Sequence, residues 1–276
     1  MKTRAFGPLA TQVPVLGLGT WHMEGDDRVS AIDAIHHAIE LGMTHIDTAE
    51  LYGSGKVESL VGTAIAGRRE RVFLVSKVLP NHATFEGTQR ACEASLRRLG
   101  TDYLDVYLLH WRGDVPLEET IRGFEALRAS GKIRAWGVSN FDDRDLDEAL
   151  RIAGPGAITC NQVLYHLRER SIEHTVIPWC VKHRVAVVAY SPFGSRNGFP
   201  RSPALEAIAA RMHATPRAIA LAFLAHRGST FLIPKSSNQR HIAELAAADR
   251  VVLDDAALAE LEAAFPAGPW RGLPSL

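Results

Sequence analysis

The chain has 276 residues, and its 31 Lys and Arg balance 31 Asp and Glu, so the formal net charge is zero. A zero net charge argues against a basic surface that binds the nucleic-acid backbone. A composition of 46% hydrophobic and 22% charged residues excludes a disordered or fibrous chain. The longest apolar run, residues 218–225, is too short to span a bilayer, and the amino terminus lacks the apolar segment of a signal peptide.

Short apolar runs rich in Val, Ile and Leu alternate with longer amphipathic segments from about residue 15 onward, which predicts parallel strands joined by helices. Residues 3–14 precede this alternation and are predicted to form a hairpin at the bottom of a barrel. The predicted strands span residues 15–19, 44–46, 72–75, 104–109, 133–138, 158–162, 185–189 and 231–233. Their number, about eight, is the number that closes a (β/α)8 barrel.

Helical periodicity recurs between these strands, for example where Ile32, Ile35 and Ile39 share one face of a helix. An extra helix is predicted over residues 256–264, followed by a tail that contains Pro and Gly. The sequence therefore predicts an α/β fold. It consists of a single (β/α)8 TIM barrel domain over residues 1–276, with an amino-terminal β-hairpin and a carboxy-terminal extra helix and tail.

Polar side chains follow the predicted strands at the points where the strands end, and this is the rim where barrels carry their chemistry. They are Asp47, Lys77, His110, Ser139, Asn140, Gln162, Tyr190 and Lys235. Tyr52 lies a few residues beyond Asp47, in a Tyr-Gly-Ser-Gly turn that can place its hydroxyl over the barrel mouth. We therefore expect these side chains to converge on one site.

Asp, Tyr, Lys and His at one barrel mouth suggest proton transfer to an oxygen atom. A tyrosine is a poor acid at neutral pH, but Lys77 could lower the pKa of Tyr52 while Asp47 holds the ammonium group in place. Tyr52 is then a candidate general acid, and His110 could donate a hydrogen bond to a carbonyl oxygen. Each residue alone has an ordinary structural explanation, but four such residues on one rim favour an active site.

Several other site types are excluded by missing motifs. The chain lacks Gly-x-Ser-x-Gly, His-Glu-x-x-His and Cys-x-x-Cys, so neither a serine nucleophile elbow nor a metal site is predicted. Gly17 and Gly19 begin a dinucleotide fingerprint that lacks its third glycine, and Val57 replaces the hydroxyl residue of a P-loop. Cys92, Cys160 and Cys180 are widely spaced in apolar segments, which predicts buried thiols in a reduced, cytoplasmic protein.

Short motifs occur in a fixed order along the chain. They are LGLGTW at 16–21, HIDTA at 45–49, YG at 52–53, SK at 76–77, LLHW at 108–111, GVSNF at 137–141, NQ at 161–162, AYSP at 189–192 and IPKS at 233–236. Over essentially the whole chain they resemble the aldo-keto reductase family, in its bacterial type with short loops. The resemblance implies a barrel that binds NADP(H) without a Rossmann domain and reduces aldehydes or ketones to alcohols by hydride transfer from the nicotinamide.

The resemblance also implies roles for individual residues. It makes Tyr52 the proton donor, assisted by Asp47, Lys77 and His110. The cofactor residues that it implies are Gly19, Thr20, Asp47, Ser139, Asn140, Gln162, Tyr190, Ser191, Pro192, Phe193, Gly194, Arg196, Lys235, Ser236, Ser237, Arg240, His241 and Glu244. The substrate would contact Trp21, Tyr52, His110 and Trp111.

Lys235 and Ser236 lead into the last barrel helix, whose amino end attracts anions, and this segment looks like the family's site for the adenosine 2′-phosphate. The chain departs from the family pattern here, since His241 stands where Arg is frequent and Leu245 where Asn is frequent. We therefore expect NADP(H) to be preferred, with NAD(H) as an alternative cofactor.

The expected partner is a small carbonyl substrate, with no metal, nucleic acid or membrane, and relatives suggest a monomer. Trp21 and Trp111 could form aromatic walls around the reaction centre. The segment 112–117 and the tail after residue 265 are short, which predicts an open pocket and broad aldehyde specificity. The physiological substrate is not predicted.

Two other functions remain open at this level. The first is a regulatory subunit that senses the cofactor on the same fold, as occurs among relatives that attach to ion channels. The second is a barrel aldolase in which Lys77 forms a Schiff base with the substrate.

Overall fold

A computed structural model describes residues 1–194, 198–228 and 230–276. Strands β1 (Thr3–Ala5) and β2 (Gln12–Pro14) form an antiparallel hairpin. Eight parallel strands follow within the described residues: β3 (Leu18–Gly19), β4 (His45–Asp47), β5 (Phe73–Val78), β6 (Leu104–Leu109), β7 (Ile133–Ser139), β8 (Ile158–Leu164), β9 (Ala186–Tyr190) and β10 (Thr230–Leu232). These strands lie at the predicted positions, and their ends differ by a few residues at most.

Each of these strands pairs with the next one in the chain, from β3 to β10. The two ends of the sheet meet where Leu16 bridges to Leu232. Gly17 N donates to Leu232 O at 2.8 Å, and Leu232 N donates to Val15 O at 2.8 Å. The sheet therefore closes into the predicted barrel, and the segment just before β3 provides the closing hydrogen bonds.

Helices connect the strands and surround the sheet. They are α1 (Arg28–Glu40), α2 (Lys56–Ile65), α3 (Phe85–Leu99), α4 (Leu117–Ala129), α5 (Asp143–Ala153), α6 (Val176–His183), α7 (Pro203–Arg211), α8 (Pro216–His226), α9 (Gln239–Ala247) and α10 (Asp255–Ala264). Asp27 caps α1 by accepting a hydrogen bond from Ser30 N, and Asn238 caps α9. The last helix, α10, confirms the predicted extra helix.

The hairpin closes the amino-terminal end of the barrel. Phe6 inserts between the first residues of the barrel strands, with its ring centroid 4.9 Å from that of Phe73 and 4.8 Å from that of Phe231. A side chain at Gly7 would meet Thr159 O at 2.1 Å, so this close approach requires glycine. Because this end is filled with side chains, the opposite rim is where a ligand can enter.

The three cysteine side chains lie in the interior of the protein. Cys92, Cys160 and Cys180 are buried free thiols, as predicted. Within the described ranges, no helix has the length and apolar character needed to cross a bilayer.

Candidate active site

A cavity of about 750 Å³ opens at the carboxyl end of the barrel. Most residues predicted from the strand ends lie around it. The predicted residues that line it are Gly19, Thr20, Trp21, Asp47, Tyr52, His110, Trp111, Ser139, Asn140, Gln162, Tyr190, Ser191, Gly194 and Lys235. His22, Leu51, Ile233 and Leu276 line it as well and were not predicted.

Lys77 lies beneath the cavity floor with its side chain completely buried. Its ammonium nitrogen donates to Asp47 Oδ1 at 2.6 Å, to the backbone oxygen of Thr48 at 2.8 Å and to the Tyr52 hydroxyl at 3.2 Å. The strand pairing explains this arrangement, since β4 and β5 are neighbours and Asp47 pairs with Val75, two residues before Lys77. A buried cation thus holds a tyrosine hydroxyl at the cavity.

Burial alone would lower the pKa of Lys77, but Asp47 and Tyr52 raise it above its usual value, so the ammonium stays charged. Burial raises the pKa of Tyr52 above its ordinary value of 10.0, and the attraction of Lys77 offsets only part of this increase. Lys77 therefore acts on the pKa of Tyr52 in the expected direction, but the net pKa is raised. The physical reason is that loss of water penalises the phenolate more than one lysine stabilises it.

Tyr52 begins a tight turn that ends at Gly55, where α2 starts. Gly53, Ser54 and Gly55 have left-handed backbone angles, with φ of 56°, 53° and 87°. A Cβ atom on Gly55 would lie 2.6 Å from the Arg98 side chain. The positive φ and this close contact both favour glycine at the position. The turn therefore directs Tyr52 toward Lys77 and packs its far end against Arg98.

Glu58, on α2, links this turn to the strand that carries Lys77. Its side chain is fully buried, and Oε1 accepts a 2.5 Å hydrogen bond from the hydroxyl of Ser76, the residue before Lys77. Glu58 Oε2 accepts a 2.6 Å hydrogen bond from Arg98. One buried carboxylate thus ties the Tyr52 turn to β5.

His110 follows β6 at the cavity wall and is 9% exposed. Its ring contacts that of Tyr52 edge to face, with the centroids 5.8 Å apart. Burial, and to a smaller extent the Lys77 charge, lowers the pKa of His110 to about 2, so the imidazole is neutral at physiological pH. Its Nδ1 is buried and has no hydrogen-bond partner in the part of the chain that the structure describes.

Polar side chains from the next three strands form a hydrogen-bonded row along the rim. The hydroxyl of Tyr190 donates to Asn140 Oδ1 at 2.8 Å, and Asn140 Nδ2 donates to the backbone oxygen of His110 at 3.1 Å. Ser139 Oγ donates to the backbone oxygen of Gln162 at 2.9 Å. Asn140 has a φ of 58°, an uncommon value for a non-glycine residue that this row of bonds maintains.

The connection from β10 to α9 brings donors together at the edge of the cavity. Lys235 Nζ and Ser237 Oγ both donate to Oδ2 of Asp26, which lies in the loop between β3 and α1. Ser236 is almost buried, and its Oγ accepts a 3.1 Å hydrogen bond from Asn238 N. This segment therefore binds one carboxylate oxygen with two side chains.

Some predicted cofactor residues do not line the cavity. Arg240 is 81% exposed and lies 3.7 Å from Glu244, and His241 is exposed on the same helix. Phe193 packs edge to face against Phe199, and Pro192 is buried beside it. The predicted cofactor residue Arg196 lies outside the described residues. Among the described residues, no group of three His, Cys, Asp or Glu is placed to hold a metal ion.

The aldo/keto reductase family model matches residues 15–265. The chain belongs to the aldo-keto reductase family. This reductase is 44% identical over 261 residues to the methylglyoxal reductase YeaE of Escherichia coli (strain K12), covering 92% of each chain.

The fold of this chain matches that of solved aldo-keto reductase structures. An aldo-keto reductase from Klebsiella pneumoniae in complex with NADPH superimposes with a TM-score of 0.93 at 44% identity, covering 100% of this chain and 99% of that one. Another Klebsiella pneumoniae aldo/keto reductase structure, in complex with NADP and acetate, has a TM-score of 0.93 at 42% identity and covers 100% of both chains.

Besides the four unpredicted lining residues, Asp26 and Glu58 were also missed from sequence. Asp27 caps α1, so the neighbouring Asp26 is available to bind another group. This pair of adjacent acidic residues was the signal present in the sequence. Glu58 interrupts an apolar helix face that includes Val57 and Val61, and a carboxylate at such a position requires a buried partner.

Proposed function

We propose that this aldo-keto reductase reduces small aldehydes and ketones to alcohols with NADPH as the hydride source. The observation that carries this proposal is the Tyr52 hydroxyl at the cavity, 3.2 Å from the buried ammonium nitrogen of Lys77. A protonated phenol beside a permanent cation is suited to donate a proton to an oxygen atom that becomes negative.

The residues around the cavity fit a nicotinamide dinucleotide. Ser139, Asn140 and Gln162 offer amide and hydroxyl groups that can bind the carboxamide, and the Tyr190 ring can stack on the nicotinamide. Lys235 and Ser237 already converge on one carboxylate oxygen, so their donors have the arrangement that a phosphate oxygen requires. When bound, NADPH supplies a hydride to the carbonyl carbon.

The chain's own residues then handle the proton. Tyr52 donates its hydroxyl proton to the carbonyl oxygen, and Lys77 stabilises the phenolate that remains. Asp47 holds the Lys77 ammonium and keeps it charged. Neutral His110 donates a hydrogen bond to the same carbonyl oxygen, which orients the substrate over the cavity floor.

We propose that α-oxoaldehydes such as methylglyoxal are among the substrates. The similarity to a methylglyoxal reductase supports this, as does the shape of the cavity mouth. Trp21, Trp111 and Leu51 surround the mouth and are 38%, 38% and 42% exposed. An open apolar mouth around one small polar centre suits small carbonyl compounds of varied shape.

The aldolase alternative requires a neutral Lys77 that attacks a carbonyl carbon. The raised pKa of Lys77 and its contacts with Asp47 and the Thr48 backbone oxygen oppose this, because its donors are already engaged.

We also propose that the 276-residue chain is one barrel domain and works as a cytoplasmic monomer. The buried free thiols suit a reducing compartment.

Replacing Tyr52 by Phe tests the function. We expect Tyr52→Phe to slow methylglyoxal reduction by at least about 100-fold, because the proton donor is lost. NADPH binding, measured by fluorescence titration, should stay within about twofold of the original. Tyr103→Phe removes a hydroxyl that bonds to Glu70 outside the cavity and is the matched control. Full reductase activity in Tyr52→Phe would overturn the proposal.

A further inference from the structure

Asp26 occupies an unusual position at the edge of the cavity. It lies at the end of the loop after β3, directly before Asp27, which caps α1. Its carboxylate reaches a segment 209 residues further along the chain and accepts hydrogen bonds from Lys235 and Ser237 through one oxygen atom. A carboxylate of the protein thus lies where we propose that a cofactor phosphate binds.

We propose that Asp26 competes with the adenosine 2′-phosphate for Lys235 and Ser237, and that this competition sets how strongly the enzyme prefers NADPH over NADH. The inference rests on the proposed function, because it assigns a regulator to the same cofactor site.

Backbone N–H groups near the start of α9 are engaged within the segment itself. Asn238 N donates to Ser236 Oγ at 3.1 Å. Arg240 N and His241 N donate to Asn238 Oδ1 at 3.0 Å and 3.2 Å. Since these backbone groups are already bonded, a 2′-phosphate depends on side-chain donors, among them Lys235 and Ser237. Asp26 engages both of them.

The bridge between Asp26 and Lys235 is partly open to solvent, with the two side chains 30% and 31% exposed. Such a pair is held weakly enough for a doubly charged phosphate to displace the carboxylate. Asp26 must then move away, because two anions beside one lysine repel each other. NADH has no 2′-phosphate, so it can bind while the bridge persists. The presence of Asp26 therefore lowers the affinity for NADPH and leaves that for NADH nearly unchanged.

The test compares Asp26→Asn with Asp33→Asn, which removes the same charge from an exposed position on α1. Dissociation constants for NADPH, NADH and adenosine 2′-monophosphate are measured by isothermal titration calorimetry. In Asp26→Asn we expect NADPH and adenosine 2′-monophosphate to bind roughly 3- to 10-fold more tightly, with NADH within about twofold. Asp33→Asn should leave all three dissociation constants unchanged.

Weaker binding of adenosine 2′-monophosphate in Asp26→Asn would overturn the inference, because Asp26 would then orient Lys235 for the phosphate. An unchanged constant for this fragment would overturn it too, as would an equal gain for NADH and NADPH. The fragment separates the two proposals. If the original protein reduced no carbonyl compound but Asp26→Asn still tightened the fragment, the proposed function would fail and the competition would stand.

Discussion

Gln162 Nε2 donates a 2.7 Å hydrogen bond to Asp47 Oδ2, although the two residues are 115 positions apart. The other oxygen of the same carboxylate accepts from Lys77 at 2.6 Å. Asp47 therefore joins a residue proposed to bind the nicotinamide to the lysine that supports the proton donor. We propose that cofactor placement and proton donation share this one buried carboxylate.

Replacing Gln162 by Leu removes one partner of Asp47 and one ligand proposed for the nicotinamide. We expect the single-turnover rate of reduction to fall by about 10-fold or more, because a buried carboxylate oxygen loses its hydrogen bond. NADPH should bind several-fold more weakly in a fluorescence titration. Gln89→Leu, on α3, removes a 3.1 Å hydrogen bond to the backbone oxygen of Phe85 and is the control for loss of a glutamine amide. Unchanged NADPH affinity and rate in Gln162→Leu would contradict the coupling.

Glu58 is a positioning residue, because it contacts Ser76 and Arg98 rather than the cavity. In Glu58→Gln we expect kcat to fall by about 10-fold with little change in KM or in NADPH affinity, since the Tyr52 turn loses a charged anchor. Rates are measured well below the unfolding temperature so that only folded enzyme contributes. Glu86→Gln alters a 78% exposed glutamate and should have no effect. Equal losses in kcat and NADPH affinity would indicate general damage to the fold.

The pH dependence of reduction follows from two buried groups. Burial raises the pKa of Tyr52 above 10.0, and it lowers that of His110 to about 2. The proposed mechanism requires protonated Tyr52 and neutral His110, and both forms dominate at neutral pH. With saturating NADPH, kcat should be flat between about pH 6 and about pH 9 and should fall at higher pH, as Tyr52 loses its proton. A kcat transition near pH 6.5 would show that His110 titrates normally.

His45 makes the fold sensitive to acid. Its ring is buried against Phe6 and Phe73, and neither nitrogen has a hydrogen-bond partner within the described ranges. Burial, with a smaller contribution from Lys77, lowers the pKa of His45 from 6.5 to about 3. Between these values the unfolded chain binds one more proton than the folded chain. The free energy of unfolding therefore falls as the pH drops from 6.5 toward 3, by about 1.4 kcal/mol per pH unit from this residue.

Replacing His45 by Phe should remove this contribution, because phenylalanine does not titrate and its ring can pack among the neighbouring aromatic side chains. The measurement is urea unfolding over a series of pH values below neutrality. The slope of the unfolding free energy against pH should decrease by about 1.4 kcal/mol per pH unit in His45→Phe. His226→Gln replaces an exposed histidine and is the control. An identical slope in all three proteins would refute the assignment to His45.

Most of the cavity residues could be located from the positions where the predicted strands end. Asp47 and His110 could be placed because the carboxyl ends of parallel strands meet on one rim. Arg240 and Glu244 were predicted from the family pattern and lie on α9 outside the cavity lining. The position of a residue on a helix does not by itself show whether a ligand contacts it. The cofactor roles of Arg240 and Glu244 therefore remain predictions.

The sequence by itself determined the closed barrel, its end helix and the rim that carries the polar residues. These depend on local periodicity and on the residue that follows each strand, and both can be read along the chain. Only the tertiary structure decided that Tyr52 has a raised pKa and that Asp26 binds Lys235. Burial and charge pairing depend on distances between residues far apart in sequence, and only the closed barrel sets those distances.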